Sequence, residues 1–362
     1  SINNLFNNNI LQKRFMQNPE MQSINILLEE RMPENVIITK EKKEKVEKIK
    51  YSNYDFYSEK TITKVNNDID KFNLIANENY TVILDEKGNG FSKYKNILVN
   101  RFKPTSDINQ GIYFYLKNIK NKKIWANGYN QVAEKPDKYT VTFAPDKAKI
   151  VRLDGNIETT TKITVSSNDS VEIRRLEIKN LGNTDETLEI SSFLEPVLSH
   201  KEQDYAHPAF NNLFLSYEYI AETNTILVKR KKRSENQKEI FMAVNLYSEE
   251  KSIGDVEYEI SKERFVGRNN FKIPKLVEDS KPFSKKIELT TDSIIAMRKT
   301  INIKAKESVK IDLIICVSED KDYVLKTVQK YMNIDNNKRS FELSKARVEA
   351  ENRYLGLTRK RY

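Results

Sequence analysis

The sequence predicts a mainly β protein, a large antiparallel β-sandwich with short helical segments at both ends. Three observations carry this. Between about Asp70 and Ser318, apolar residues recur at every second position in short stretches spaced about ten residues apart. Twelve or more such stretches follow one another with no long amphipathic helix between them, which argues for antiparallel sheets packed face to face. Helical spacing is confined to the residues before Pro33 and after Ser318.

Taken in order, the first element is a helix. Phe15, Met16, Met21, Ile24, Leu27 and Leu28 recur at spacings of three and four, Asn18-Pro19-Glu20 supplies a start signal, and Pro33 a stop. Residues 1–33 thus read as a helix with one apolar face. Residues 34–69 include Lys40-Glu41-Lys42-Lys43-Glu44-Lys45, have few apolar anchors, and read as a charged linker. The sandwich is expected over residues 70–318. Its strands fall at 80–84, 112–116, 139–143, 160–165, 171–178 and 187–190, and Asn180-Leu181-Gly182-Asn183 reads as a hairpin-type turn joining the last two. The pattern resumes at 226–228, 240–246, 256–260, 297–303 and 309–317. Over residues 319–362 helical spacing returns through Tyr323, Val324, Val328, Phe341, Leu343, Ala346, Val348 and Tyr354. No repeat of fixed period occurs.

Composition sets bounds on function. Of 362 residues, 38% are hydrophobic and 10% aromatic, enough for a sizeable core, and 62 Lys+Arg against 52 Asp+Glu give a formal net charge of +10. Nine glycines and nine prolines are too few for a collagen-like, Gly/Ser-linker or Pro-rich chain. No apolar run approaches the roughly 18 residues of a membrane-spanning helix. With Cys316 alone, an intrachain disulfide and a cysteine zinc site both lack a partner, and a reducing compartment is expected. The first residues, Ser1-Ile2-Asn3-Asn4-Leu5-Phe6, do not read as a signal peptide, and the chain is expected to be cut from something longer.

Chemistry-bearing motifs are few. Gly88-Asn89-Gly90 begins like a dinucleotide fingerprint, but Lys93 stands at the third glycine position and the segment reads as a turn. No phosphate loop, G-x-S-x-G or His-Glu-x-x-His is present. His200, Glu202 and Asp204 would share one face of an extended strand as a metal set, against readings as a polar cluster or as ligand contacts; no metal is expected. The run Lys229-Arg230-Lys231-Lys232-Arg233 follows an apolar strand and reads as a solvated strand end or hairpin, with an anion patch as the alternative. Aromatic rings stack on the C–H faces of pyranoses while amides and carboxylates meet the hydroxyls. Trp125, Tyr129, Tyr94 and Tyr113 are candidates for stacking, with Asn127, Asn130 and Gln131 beside two of them; ordinary core packing is the alternative. Paired carboxylates for glycoside hydrolysis, about 5 to 9.5 Å apart, cannot be chosen by sequence spacing.

Several segments together resemble one family. Asn77-Glu78-Asn79-Tyr80-Thr81-Val82-Ile83-Leu84 with Gly88-Asn89-Gly90-Phe91-Ser92-Lys93-Tyr94 resembles the opening of the sugar-phosphorylase module of cyclic β-1,2-glucan synthases, in glycoside hydrolase family 94 (glycosyltransferase family 36-like). Phe91 replaces a tyrosine and Tyr94 a tryptophan of the family pattern. Further matches are 125–131, 155–160, 171–176, Arg264-Phe265-Val266-Gly267-Arg268 and, most specific, Asp204-Tyr205-Ala206-His207-Pro208-Ala209-Phe210-Asn211-Asn212-Leu213-Phe214. Ser1 to Pro33 is similar to the last helices of the preceding synthase module.

The resemblance implies a supersandwich of galactose mutarotase type, with residues 319–362 starting a helical linker to an (α/α)6 catalytic barrel outside this chain. It implies a non-catalytic, carbohydrate-binding and substrate-shaping role in β-1,2-glucan processing, with no catalytic residue and no cofactor here, so the chain alone is expected to be inactive. Trp125, Tyr129, Gln131, Asp204, His207, Phe210 and Asn211 are the candidate sugar contacts, with the 204–213 segment expected to face the barrel. Expected partners are a β-glucan or oligosaccharide, the barrel and the upstream module; a homodimer is allowed and nucleic acid is not expected. Location on the cytoplasmic side is expected, with any inner-membrane anchor in upstream segments. The alternative is a basic binding module for an anionic polymer such as nucleic acid, resting on net charge and the 229–233 run.

Overall fold

Nineteen strands and six helices are formed in a computed structural model that describes residues 18, 19, 57–65, 70–102, 111–235, 237–250, 252–267, 273–288 and 290–357. Of the expected N-terminal helix only Asn18 and Pro19 lie among these residues, and most of the expected charged linker lies outside them.

The strands form three antiparallel sheets. The first has nine strands, in the order β1 (Lys60–Ile62), β8 (Lys138–Phe143), β9 (Lys147–Asp154), β10 (Ile157–Val165), β11 (Val171–Asn180), β19 (Ser308–Ser318), β16 (Ile240–Tyr247), β15 (Thr225–Arg230) and β14 (Leu215–Ile220). The second has five: β17 (Glu257–Ser261), β18 (Ser293–Ile303), β12 (Glu186–Leu194), β6 (Tyr113–Asn118) and β7 (Ile124–Ala126). The third runs β13 (Pro196–Ser199), β5 (Ile97–Asn100), β4 (Gly90–Tyr94), β3 (Tyr80–Asp85) and β2 (Phe72–Ala76). The two smaller sheets face the large one across the main core, to which β3 gives Val82 and Leu84, β12 gives Leu188 and Ile190, and β19 gives Ile311, Leu313 and Ile315. Gly88 lies in the β3–β4 turn as expected and Gly90 opens β4, where a Cβ would stand 2.1 Å from the Ile83 carbonyl oxygen.

The central strands of the nine-stranded sheet are covered on both faces. Ile173, Ile314 and Cys316 on its outer face pack with Val324, Val328 and Tyr331 of α5 (Lys321–Tyr331), and α6 (Ile334–Tyr354) follows. Asp320 and Asn333 cap these helices, each side chain accepting two backbone N–H groups of the first turn. Residues 319–357 therefore belong to the sandwich's own layers as well as to the helical stretch the periodicity predicts.

The structure corrects two local expectations. Strand β1 pairs with β8 through Lys60↔Phe143 and Ile62↔Val141, so the sheet begins inside the stretch read as linker. Ahead of it, the Tyr57 hydroxyl donates to Asp146 at 2.5 Å. The Asn180-to-Asn183 turn does not make a hairpin: β11 pairs with β10 and β19, β12 with β6 and β18, and the chain crosses between sheets there. Asn180 holds this corner, donating to the Thr184 and Ile303 carbonyls and accepting the Gly182 N–H. Turn chemistry is legible locally, but which strands pair is decided by the whole sheet.

Lys299 is out of pattern. It shares the face of Met297 and Ile301, both in the main core, is 8% exposed, and burial pushes its ammonium pKa down to about 8. Because the unfolded chain holds this proton up to about pH 10.4, stability rises as pH climbs from 8 towards that value. Lys299→Met is therefore expected to raise the thermal midpoint by several degrees at pH 7 and by little at pH 10.5, as read by calorimetry at both. A chain starting at Val65 is expected to melt lower than one starting at Tyr57, because it loses β1 and the Tyr57–Asp146 bond.

Candidate functional site

The outer face of the second sheet carries a cleft of about 200 Å³. Period-two alternation makes the site: on β6, Phe114 and Leu116 point into the main core, which leaves Tyr113 and Tyr115 on the opposite face. These two tyrosines line the cleft with Phe193, from the end of β12, and their rings meet at 5.3 Å (Tyr113–Tyr115 and Tyr113–Phe193). Beneath them Phe265 of α3 (Lys262–Val266) is fully buried and stacks on Phe193 at 5.7 Å. Helix α3 is set by Ser261, whose hydroxyl caps the Arg264 N–H, and Arg264 is gripped by Glu259. This fixes Lys262 and Val266 at the mouth of the cleft.

Charge surrounds these rings. Lys262 pairs with Glu195 at 2.9 Å and more loosely with Asp292 at 3.8 Å. Arg101 reaches Glu195 at 3.1 Å and Asp292 at 3.9 Å, and makes a two-pronged contact to Asp204 at 3.0 and 2.8 Å. Burial works against the Arg101 charge, but Asp204 and Glu195 outweigh it and raise its pKa. Burial raises the Asp292 carboxyl pKa, Lys262 opposes this, and Glu195 adds to it. Both tyrosine hydroxyls are also pushed up, chiefly by burial, and lie 3.3 Å apart.

The 204–213 segment forms two short helices, α1 (Lys201–Ala206) and α2 (Pro208–Asn212), held by Arg101 from beside the cleft. Asp204 is wholly buried on Arg101, so it is not open to sugar hydroxyls. Asn211 is likewise buried: its amide donates to the Val197 carbonyl and its oxygen accepts from Arg230 at 2.7 Å. Asn212 donates to the Thr291 carbonyl at 2.9 Å, next to Asp292. His207 and Phe210, the latter 46% exposed, stand outside this anchoring and outside the cleft lining.

The other expected contacts divide. Trp125 is 1% exposed inside the main core, closed to an external sugar, because β7 turns it away from the Ala126 face. Tyr94 is also core, and Tyr129 is half-buried with its ring against Tyr139 at 5.1 Å. Gln131 does line the cleft; its amide donates to the Lys87 carbonyl and to Asn89, and its buried Oε1 has no hydrogen-bond partner. Its packing requires Gly128, where a Cβ would fall 2.0 Å from that Oε1. Tyr113 is the other expected residue found there, while Tyr115, Phe193, Glu195, Lys262 and Asp292 went unnoticed. The Arg264-to-Gly267 match was the signal that could have led to α3.

His200, Glu202 and Asp204 lie on a helix start and not a strand, and no metal-binding cluster is found among the described residues. In the basic run Arg230 is buried, its pKa lowered to about 10 by burial and then by Arg233, and Lys229 pairs with Glu239 at 2.8 Å. Arg233 lies over the Phe210 and Phe214 rings. Among the described residues no helix is long and apolar enough to cross a membrane.

A family model, "Glycosyl hydrolase 94, supersandwich domain", matches residues 57–334. The chain is 24% identical, over 99% of its length, to the cyclic beta-(1,2)-glucan synthase NdvB of Rhizobium meliloti (strain 1021), of which it spans 13%. Among solved structures, a putative kojibiose phosphorylase from human microbiome is similar with 8% identity and a TM-score of 0.45, over 83% of this chain and 38% of that one. A bacterial glucoamylase complexed with acarbose has 12% identity and a TM-score of 0.42, over 79% and 40%.

Removing Asp204 from this buried, two-pronged pair leaves Arg101 compensated by Glu195 alone at short range, so Asp204→Ala is expected to destabilise by less than the about 3–5 kcal/mol of a fully broken buried pair, in denaturant melts. His207→Ala, at an exposed position, is expected to stay within about 0.5 kcal/mol of wild type.

Proposed function

We infer, from a chain that belongs to the glycosyl hydrolase 94 supersandwich family, that it is the non-catalytic, carbohydrate-contacting sandwich of a β-1,2-glucan-processing enzyme. The observation that carries this reading is the cleft over β6, which joins aromatic walls to carboxylates, the two kinds of group that a pyranose needs. Glu195 is engaged by both Lys262 and Arg101, which suits holding and orienting a sugar more than exchanging protons with it. Chemistry on the glucan then falls to a catalytic barrel elsewhere in the full protein, with the sandwich on the cytoplasmic side and shaping the substrate's approach.

The basic-module reading finds less support. In the basic run Lys229 is paired with Glu239 and Arg230 is buried on Asn211, and nearby Lys95 and Lys238 share Glu319, so the run does not present a continuous free cationic patch. Titrating the chain with β-1,2-glucooligosaccharide and with a random oligonucleotide at 50 and 200 mM salt separates the two. Sugar binding by stacking and hydrogen bonds is expected to change by less than about twofold, whereas a phosphate-backbone binder loses orders of magnitude. Steep oligonucleotide binding with none to the glucan would overturn the reading.

A further inference from the structure

We propose that the cleft between β6, the end of β12 and α3 is a site for a single neutral pyranose ring, with Tyr113 and Phe193 as walls and Asp292 as the hydroxyl acceptor at the mouth. This rests on the carbohydrate reading above and assigns it a place. Size argues for one ring: about 200 Å³ lies below the roughly 300–1,000 Å³ of clefts that take drug-sized ligands, so an extended chain does not fit inside. Chemistry argues for a neutral polyol. Lys262 in the lining and Arg101 beside it are both held by Glu195, so among the described residues no cation there is left uncommitted for a sugar phosphate or uronate.

Hydroxyl partners remain available. The Asp292 side chain is 54% exposed, and both its ion pairs are long, at 3.8 and 3.9 Å, so its carboxylate can accept from a sugar O–H without breaking a short bond. The Tyr113 and Tyr115 hydroxyls bond only loosely to each other at 3.3 Å. Rings already fixed by Phe265 lose little freedom when a sugar lies against them.

The test is saturation-transfer NMR with the full chain, using methyl β-glucoside and β-1,2-glucotriose as probes. Both are expected to bind, with dissociation constants within about threefold of one another. Val266→Phe, which fills the mouth from a half-buried position, is expected to abolish binding, and Asp292→Asn to weaken it about tenfold. Phe210→Ala, on the exposed side of the helix pair, is expected to bind as wild type does. If wild type binds but both cleft variants bind equally well, the sugar sits elsewhere: the cleft assignment falls and the carbohydrate reading stands. A steep gain in affinity from monosaccharide to trisaccharide would overturn the single-ring assignment. No binding of either sugar to wild type would overturn the carbohydrate reading and this site with it. Should Val266→Phe unfold, Asp292→Asn carries the test alone.

Discussion

Everything in this sandwich depends on charge buried between layers and paired there. Where the nine-stranded sheet is covered on both faces, the middles of its central strands have no solvent face, so a charged residue there must find its counter-charge inside. On β11 Glu172 accepts from Arg174 and Ser92, each at 2.5 Å, and from the Tyr80 hydroxyl at 3.0 Å, which ties the large sheet to β3 and β4. One strand position on, Arg175 points the other way, gripping Asp312 of β19 and the Ile334 carbonyl where α6 begins. Arg152 and Asp154 do the same between β9 and the loop after β7, through the Gly128 carbonyl. Each knot fixes a layer in register, because hydrophobic packing alone is indifferent to a small slide and a two-pronged guanidinium contact is not.

The cleft inherits its shape from the same device at the second sheet. Arg101, following β5 in the third sheet, reaches Asp204 in the helix pair and Glu195 after β12, so three chain segments share one guanidinium. Helix α3 is locked by Arg264 on Glu259, and α4 (Lys275–Asp279) is held down by Lys117 donating to the Val277 carbonyl. The aromatic floor is thus set by strands and a capped helix, while Glu195 and Asp292 at its rim lie in connections just outside β12 and β18.

Alternation was legible because burial on one face writes itself into the sequence at every second residue, most clearly at 139–143, whereas 171–178 and 313–317 carry apolar residues on both faces. Short strands such as Ile124–Ala126 and Pro196–Ser199 were not, since three or four residues hold too little pattern. The helix pair has no legible helical period because its polar residues Asp204 and Asn211 face inward, toward Arg101 and Arg230, which reverses the usual pattern. Trp125 beside Asn127 and Gly128 looked like a sugar platform, yet Asn127 serves the fold, donating to Thr161 and accepting the Phe114 N–H. The cleft itself draws on residues 113, 131, 193, 195, 262 and 292, and no one-dimensional spacing joins segments so far apart.

The place of β19 in the large sheet has a bearing on how the chain is made. It lies between β11 and β16, so the strands before it form two separate ribbons, one ending at β11 and the other at β16, with nothing to join them. Both edges stay open on the ribosome until residues 308–318 have been synthesised and threaded between them. During that interval Ile173 and Val244 stand at unpaired edges, the kind that invite pairing with another nascent chain. A strand as apolar as Ile311 to Val317, arriving last, converts two vulnerable ribbons into one continuous sheet in a single step.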